Sequence, residues 1–166
     1  MSIVNHVFVL LGGNIEPRME NIIKAKHELQ MRLGSIKSES SIYETKAWGF
    51  NTDKKFLNVV LLMETSLSAE LFLEEALKIE MNLGRQRDAT EDYSSRPIDI
   101  DILYFNSEII NSKNLVVPHP RIHLRRFTLV PLVEISPNYV HPVFNKTNEE
   151  LLASCDDKLD VKEFRV

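Results

Sequence analysis

The stretch SSRPIDIDIL, residues 94–103, alternates isoleucine with aspartate from Ile98 to Ile102. Successive side chains of a β-strand point to opposite faces of the sheet, so Asp99 and Asp101 stand on one face, about 7 Å apart along the strand. The isoleucines around them face the other way and are expected to pack in the core. The stretch therefore predicts a strand with one buried face and one face that carries two like charges.

The segments before this strand predict five further elements in the order β-α-β-β-α. The predicted strands are residues 6–11, 36–45, 56–65 and 98–105, and the predicted helices are residues 17–33 and 68–83. The complete order is that of a ferredoxin-like fold, an antiparallel sheet with two helices packed on one face. We therefore expect an α+β protein in which the isoleucines face the helices and the two aspartates lie on an open face.

Residues typical of helix ends support both predicted helices. Pro17 suits the first turn of the first helix, and Gly34 suits the position just after its end. Ser68 is a favourable N-cap for the second helix, and Gly84 a favourable terminator. The chain beyond residue 106 predicts a small hairpin within 106–120, a short helix within 125–135 and a last helix within 148–155. We expect residues 1–166 to form a single domain with this C-terminal extension.

Composition restricts the classes of protein and partner. The chain has 166 residues, of which 43% are hydrophobic and 27% charged, with a formal net charge of -4. This charge gives no general attraction to nucleic acid or to acidic membranes, so neither is an expected partner. The apolar run after the N-terminus is too short for a signal peptide or a membrane span. With one cysteine, Cys155, no internal disulfide forms, which fits the cytoplasm.

The paired aspartates favour a site for a divalent cation. Mg²⁺ takes oxygen ligands, commonly one or two protein carboxylates together with water and substrate phosphates. A solvated acidic strand face is the commoner role for two alternating aspartates. Aspartate is nevertheless a poor strand former, and here it occurs twice in a strand of isoleucine, leucine and aromatic residues. Two departures from local propensity in one strand favour a functional site.

Two basic segments predict an anion site near that strand. The polar loop 84–96 contains Arg85, Arg87 and Arg96, and arginine is the preferred bidentate partner of phosphate oxygens. Such a loop is a candidate lid, although a solvated loop of mixed charge is an equal alternative for each arginine alone. Residues 117–127 contain two histidines and three arginines, which also suit an anion. The histidines have no further histidine or cysteine neighbours, so a zinc site is not expected.

Trp48 and Phe50 lie on either side of a glycine in a predicted loop. If they are exposed, they suit stacking on a flat ligand; if they are buried, they form a satellite core. The sequence favours neither alternative.

Several of these segments together resemble a known enzyme family. The matching segments are LLGGN (10–14), YETKAWGF (43–50), FLNVVLLMET (56–65), GRQR (84–87), SSRPIDIDILYF (94–105) and VPHPRIHLRRFTLVPLVEI (117–135). They resemble, in order and spacing, the 6-hydroxymethyl-7,8-dihydropterin pyrophosphokinases of the folate pathway. The resemblance implies transfer of the pyrophosphoryl group of ATP to the hydroxymethyl oxygen of the pterin, with release of AMP. It also implies a cytoplasmic enzyme, which we expect to be a monomer.

The resemblance also implies roles for individual residues. Asp99 and Asp101 would hold two Mg²⁺ ions, and together with Arg85 and Arg96 they would be the catalytic residues. The implied ATP contacts are Arg85, Arg87, Arg96, Ile102, His119 and Arg125. The implied pterin contacts are Thr45, Lys46, Trp48, Phe56, Asn58, Asp99 and Phe127. Among these, Asn58 would hydrogen-bond the edge of the pterin, while Phe56 and Phe127 would stack on its two faces.

Four positions depart from the pattern that relatives often show. Ser94 replaces a glycine in the loop, and Phe56 replaces a tyrosine, which keeps stacking but removes a hydroxyl. Leu77 stands where a glutamine often contacts the nucleotide, and Asn114 where an arginine is often found. These departures concern closure of the loop and the outer nucleotide contacts rather than the aspartate pair.

Two other classes of function remain as alternatives. A ferredoxin-like sheet can bind RNA without catalysis, but aspartates on its face would repel a phosphate backbone. A two-metal nuclease would use a similar carboxylate pair, but it would need further acidic ligands nearby.

Overall fold

The computed structural model describes residues 3–84 and 97–165. Its strands are β1 (Asn5–Gly13), β2 (Ser35–Glu39), β3 (Tyr43–Thr45), β4 (Phe56–Thr65), β5 (Asp99–Phe105), β6 (Ile110–Asn111), β7 (Val116–Val117) and β8 (Val161–Glu163). Its helices are α1 (Arg18–Arg32), α2 (Ala69–Asn82), α3 (Arg126–Ile135) and α4 (Asn148–Ala153), with a short 3-10 helix over Ile122–Leu124. No helix in the described ranges has the length and apolar character needed to cross a membrane.

Six of the strands form an antiparallel sheet with β4 at its centre. The order is β5-β1-β4-β3-β8, and β2 also pairs with β4 beyond the end of β3. The predicted β-α-β-β-α-β order is confirmed, except that the second predicted strand is divided into β2 and β3. The predicted α+β class is likewise confirmed. The predicted hairpin is the separate ribbon of β6 and β7.

The first sheet face is covered by α1 and α2, as the sequence predicts. Apolar side chains from β1, β4 and β5 pack there against the buried stripes of both helices, including Ile98, Ile100 and Ile102. The Oγ of Ser68 accepts a hydrogen bond from Leu71 N, so the predicted cap of α2 is confirmed. Gly84 follows this helix with φ of 99°, a left-handed conformation that favours glycine.

The second sheet face is open only at one end, which corrects the expectation of a free face. Helices α3 and α4 pack over the rest of it, in a second core cluster with Phe8, Leu10, Val60, Leu129 and Leu132. The unbroken apolar run of β1 explains this arrangement, because a strand covered on both faces needs apolar side chains on both. The C-terminal extension therefore completes the core and leaves one end of this face uncovered.

A β-bulge in β5 separates the acidic end of the strand from its buried end. Phe8 pairs with Tyr104 but the next residue, Val9, pairs with Ile102, so Leu103 is the additional residue. Leu103 and Tyr104 consequently both enter the second core cluster. Bulges are frequent beside functional sites because they redirect side chains. Before the bulge, the regular alternation places both aspartates on the face opposite to the isoleucines.

The buried His141 predicts a loss of stability in acid. Its Nδ1 accepts hydrogen bonds from the main-chain nitrogens of Val143 and Phe144, at 3.1 and 3.2 Å. Burial, and secondarily the charge of His123, lowers its pKa from 6.5 to about 4. As the pH falls, His141 is therefore protonated in the unfolded chain before it is protonated in the folded protein. Its contribution to the free energy of unfolding is fully present above pH 6.5 and declines as the pH falls toward 4.

Asparagine keeps a hydrogen-bond acceptor but does not titrate. We therefore expect His141→Asn to reduce the difference in the free energy of unfolding between pH 7 and pH 4.5 by roughly 2 kcal/mol. Urea unfolding at pH 7 and pH 4.5 measures the effect. The exposed His27 provides the control variant His27→Gln. An equal pH dependence in the wild type and His141→Asn would contradict the assignment.

Candidate active site

A cavity of about 320 Å³ lies at the uncovered end of the second sheet face. Its volume is within the range of small-molecule sites. Ten of the residues singled out from the sequence line it together: Thr45, Lys46, Trp48, Phe56, Asn58, Asp99, Asp101, His119, Arg125 and Phe127. They come from β3, β4, β5, α3, the region of the 3-10 helix and the segments between these elements. The fold therefore brings residues from distant parts of the chain to one site.

Gly12 forms the floor between the two halves of this cavity. In the sheet it pairs with Asn58 of β4 on one side and with Asp99 of β5 on the other. Paired residues of adjacent strands direct their side chains to the same face. A Cβ at position 12 would lie 2.7 Å from the Oδ1 of Asn58, which is shorter than a van der Waals contact. Glycine thus leaves the space between the amide and the carboxylate open.

The polar end on one side of Gly12 is held by a buried pair. Asn58 is 3% exposed, and its Nδ2 donates to the Oγ1 of Thr45 at 3.0 Å. This bond orients the amide, since Thr45 is also buried and its strand pairs directly with β4. A buried, oriented amide is suited to recognise the polar edge of a flat heterocycle by paired hydrogen bonds.

Aromatic side chains form the walls around that amide. The ring of Phe50 lies edge-on to the ring of Phe56, with 6.0 Å between centroids and an interplanar angle of 89°. The guanidinium of Arg125 lies 4.7 Å from the centroid of Trp48 and 5.5 Å from that of Phe127. Trp48 and Phe50 are both half-buried and line the cavity, and neither belongs to the two core clusters of the described residues.

The acidic end lies on β5, on the other side of Gly12. Asp99 and Asp101 are both half-buried and line the cavity. Between them, Ile100 N donates to the Oε2 of Glu80 at 2.6 Å. Glu80 is 1% exposed and also lines the cavity, although sequence reasoning missed it. The available signal was a charged residue four positions after Ala76, on the buried face of α2.

His119 joins the acidic end from the segment that follows the β6–β7 ribbon. Its main-chain N donates to Leu103 O at 2.9 Å, and its Nδ1 accepts from Arg121 N at 3.1 Å. Burial first, and then the charges of Arg125 and Arg121, lower its pKa to about 4, against an opposing effect of Asp99. The ring is therefore neutral at pH 7, and because Nδ1 accepts, its proton is on Nε2.

The aspartate pair fits a hard divalent cation that also binds substrate. In the described ranges no group of three or more His, Cys, Asp or Glu could hold a metal ion, so the chain forms no complete cage there. Mg²⁺ seldom uses such a cage, since it commonly takes one or two carboxylates and completes its shell with water and phosphate oxygens. Asp99 and Asp101 are two carboxylates of this kind, on the same face of β5 and at the same cavity.

The structure describes only some of the remaining singled-out residues. Arg85, Arg87, Arg96 and Ser94 fall outside the described residues. Ile102 is buried in the helix-facing core and does not line the cavity. Two of the positions that depart from the relatives' pattern are also placed: Leu77 of α2 lines the cavity, whereas Asn114 is exposed near the β6–β7 turn.

The chain matches a protein family over most of its length. The family model described as 7,8-dihydro-6-hydroxymethylpterin-pyrophosphokinase (HPPK) matches residues 8–137. A 2-amino-4-hydroxy-6-hydroxymethyldihydropteridine pyrophosphokinase of Aquifex aeolicus is 41% identical over 144 residues, which are 87% of this chain and 88% of that protein. The protein of the same name from Bacillus subtilis is 35% identical over 162 residues, covering 96% of each chain.

Solved structures of longer chains share the fold. Wild-type HPPK-DHPS of Plasmodium falciparum with SDX-DHP superposes over 92% of this chain with a TM-score of 0.71 and 17% identity. An HPPK-DHPS structure in complex with substrates has a TM-score of 0.71 and 16% identity over the same share. This chain spans 44% and 43% of those two chains, and at these identities the likeness concerns the fold alone.

Proposed function

The chain belongs to the 7,8-dihydro-6-hydroxymethylpterin-pyrophosphokinase family, and we propose that this cavity is where it transfers pyrophosphate from ATP to the pterin. It is a pyrophosphokinase of folate biosynthesis. The position of Gly12 between Asn58 and Asp99 carries the proposal. A flat ligand held at Asn58 would extend its substituent over the glycine toward the carboxylates, where the triphosphate binds.

The pterin occupies the half of the cavity around Asn58. The amide of Asn58 hydrogen-bonds the edge of the ring, and its bond to Thr45 fixes the orientation of that amide. Phe56 and Phe127 stack on the two ring faces. Lys46 and Trp48 contact the pterin from the segment between β3 and β4, where both line the cavity. Aromatic walls and a few oriented polar groups are the usual composition of such a pocket.

The triphosphate occupies the other half. Asp99 and Asp101 would hold two Mg²⁺ ions, which would supply charge neutralisation and alignment of the phosphates. The neutral ring of His119 donates from Nε2 to a phosphate oxygen, and Arg125 neutralises charge beside it. Glu80 keeps β5 in place through Ile100 N, which fixes the spacing of the two aspartates.

The other proposed ATP contacts extend from the same half. Arg85, Arg87 and Arg96 bind phosphate from the polar loop, and Arg85 and Arg96 serve as catalytic residues. Ile102 contacts the nucleotide through its main-chain atoms, because its side chain is buried in the helix-facing core. In-line transfer requires this alignment and charge neutralisation more than covalent assistance.

The alternatives find less support. RNA-binding sheets stack bases on exposed aromatic rings. Here Phe8 and Tyr104 of the second face are instead buried in its core cluster. A two-metal nuclease requires more acidic ligands than the pair that the described residues supply. We further propose that the enzyme is a cytoplasmic monomer, consistent with its single, buried free cysteine.

The purified protein with ATP, Mg²⁺ and the hydroxymethyl-dihydropterin is expected to release one AMP for each pterin consumed. Chromatography of the nucleotides measures this ratio. Omitting the pterin should leave ATP intact, and chelating Mg²⁺ should stop the reaction because the carboxylates alone cannot neutralise the triphosphate. A folded protein that forms no AMP, or forms ADP instead, would contradict the proposed function.

A further inference from the structure

Arg18, the first residue of α1, lies outside the cavity lining and yet connects four parts of the chain. Its Nε lies 2.6 Å from Glu16 Oε1, and its Nη1 lies 2.8 Å from Glu44 Oε2. Nη1 also donates to the main-chain oxygen of Lys55 at 3.1 Å. The guanidinium stands over the ring of Phe164, 5.5 Å from the centroid, and the side chain is only 15% exposed.

Two of these contacts are made where a segment of the cavity wall leaves the sheet. Glu44 directly precedes Thr45, the last residue of β3, and Lys55 directly precedes Phe56, the first residue of β4. Thr45 and Phe56 are paired across the two strands. Arg18 Nη1 therefore links the carboxylate of Glu44, inside β3, to the main chain of Lys55, across the Thr45–Phe56 pair that closes the 46–55 segment.

That segment supplies one side of the proposed pterin site. Lys46, Trp48 and Phe50 all line the cavity, and Phe50 contacts the ring of Phe56. Ten residues without strand structure would sample many arrangements if only their chain ends were paired. A brace across both ends restricts where the aromatic side chains can lie.

We propose that Arg18 is a positioning residue for pterin binding, which it supports by holding the 46–55 segment against the sheet. The inference rests on the proposed function for the identity of the ligand. None of the Arg18 contacts described above involves β5 or His119, which line the proposed triphosphate half. Loss of the brace should therefore affect the pterin more than the nucleotide, whose half of the cavity the segment meets through the contact of Trp48 with Arg125.

The chemistry of the side chain explains why arginine suits this position. The guanidinium is planar, so Nε can bind Glu16 while Nη1 binds both Glu44 and the carbonyl of Lys55 in fixed directions. Its flat face remains available to Phe164. A lysine ammonium is a single charged point and cannot make these contacts together. Arg18→Lys should consequently keep the positive charge but lose the simultaneous contacts that form the brace.

The kinetic test compares Arg18→Ala and Arg18→Lys with the control Arg32→Ala. Arg32 is on the same helix, pairs only with Glu28 among the described ion pairs, and is 44% exposed. We expect both Arg18 variants to raise the pterin KM about tenfold while the ATP KM and kcat stay within about threefold. Arg32→Ala should leave all three unchanged. Equal losses for pterin and ATP, or a pterin KM like that of Arg32→Ala, would overturn the inference.

A second readout requires no ligand, because Trp48 is the only tryptophan in the chain. Its fluorescence reports the position of the 46–55 segment in the free protein. We expect Arg18→Ala to make Trp48 more accessible to acrylamide and to shift its emission to longer wavelength. The control Arg32→Ala should give the same quenching and emission as the wild type. Unchanged quenching in Arg18→Ala would overturn the brace. A wild-type protein that binds no pterin would instead contradict the proposed function, whatever the quenching shows.

Discussion

Asp99→Asn and Asp101→Asn are each expected to lower kcat at least about a thousandfold, equivalent to roughly 4 kcal/mol of transition-state stabilisation. Asparagine nearly preserves the shape of aspartate but removes the charge that would hold Mg²⁺ at the triphosphate. Both carboxylates lie at a cavity rather than in a core cluster, so the free energy of unfolding should change by less than about 1 kcal/mol. Initial rates of AMP formation and thermal unfolding measure the two effects.

The control for these variants is Asp160→Asn, since Asp160 has an 82% exposed side chain beside β8, outside the cavity lining. Its rate should equal that of the wild type. Excess Mg²⁺ should recover part of the activity of Asp99→Asn if the remaining carboxylate still binds a metal weakly. If both active-site variants unfold at ordinary temperature, the pair is structural. If they turn over normally, the metal assignment is wrong.

Gly12→Ala is expected to raise the pterin KM about thirtyfold or more, because the added methyl group occupies the floor of the cavity. Its Cβ would stand 2.7 Å from Asn58 Oδ1, so the amide must move away from its bond with Thr45. The buried amide has little space to do so. Titration with pterin at saturating ATP measures the change, and unfolding in urea measures the accompanying loss of stability.

A double-mutant cycle tests the route of this effect. In Asn58→Ala the amide is already absent, so the further change Gly12→Ala should cost much less than it does in the wild type. A pterin KM within about threefold of wild type for Gly12→Ala would show that the floor is not part of the site. Additive effects in the cycle would show that Gly12 acts independently of Asn58.

Local patterns predicted much of the fold, because each depends on a few neighbouring residues. The cap at Ser68 and the glycine terminator of α2 are read from residue type, and both are observed. Alternation alone separates the isoleucines of β5 from its aspartates. The division of the second predicted strand into β2 and β3 was not foreseen, since it depends on how each part pairs with β4.

The covering of the second face was the main error, and its cause is tertiary. Helices were predicted within residues 125–135 and 148–155, but helical periodicity does not determine which face of the sheet they cover. The position of α3 and α4 depends on contacts with Phe8 and Leu10, more than one hundred residues earlier in the chain. The bulge at Leu103 is equally invisible in the sequence, because it is a property of two strands in register.

The sequence by itself determined the fold class, the order of the elements and the acidic pair, because these follow from periodicity, end signals and adjacent residue types. Only the tertiary structure decided that Asn58 and Asp99 lie on either side of Gly12, that Glu80 bonds to Ile100 N of β5, and that Arg18 bonds to both Glu44 and Lys55. Each of these depends on strand register or on a contact between residues distant in the chain. The acidic strand is therefore a candidate site by its sequence, and it acquires a defined ligand cavity only through its partners.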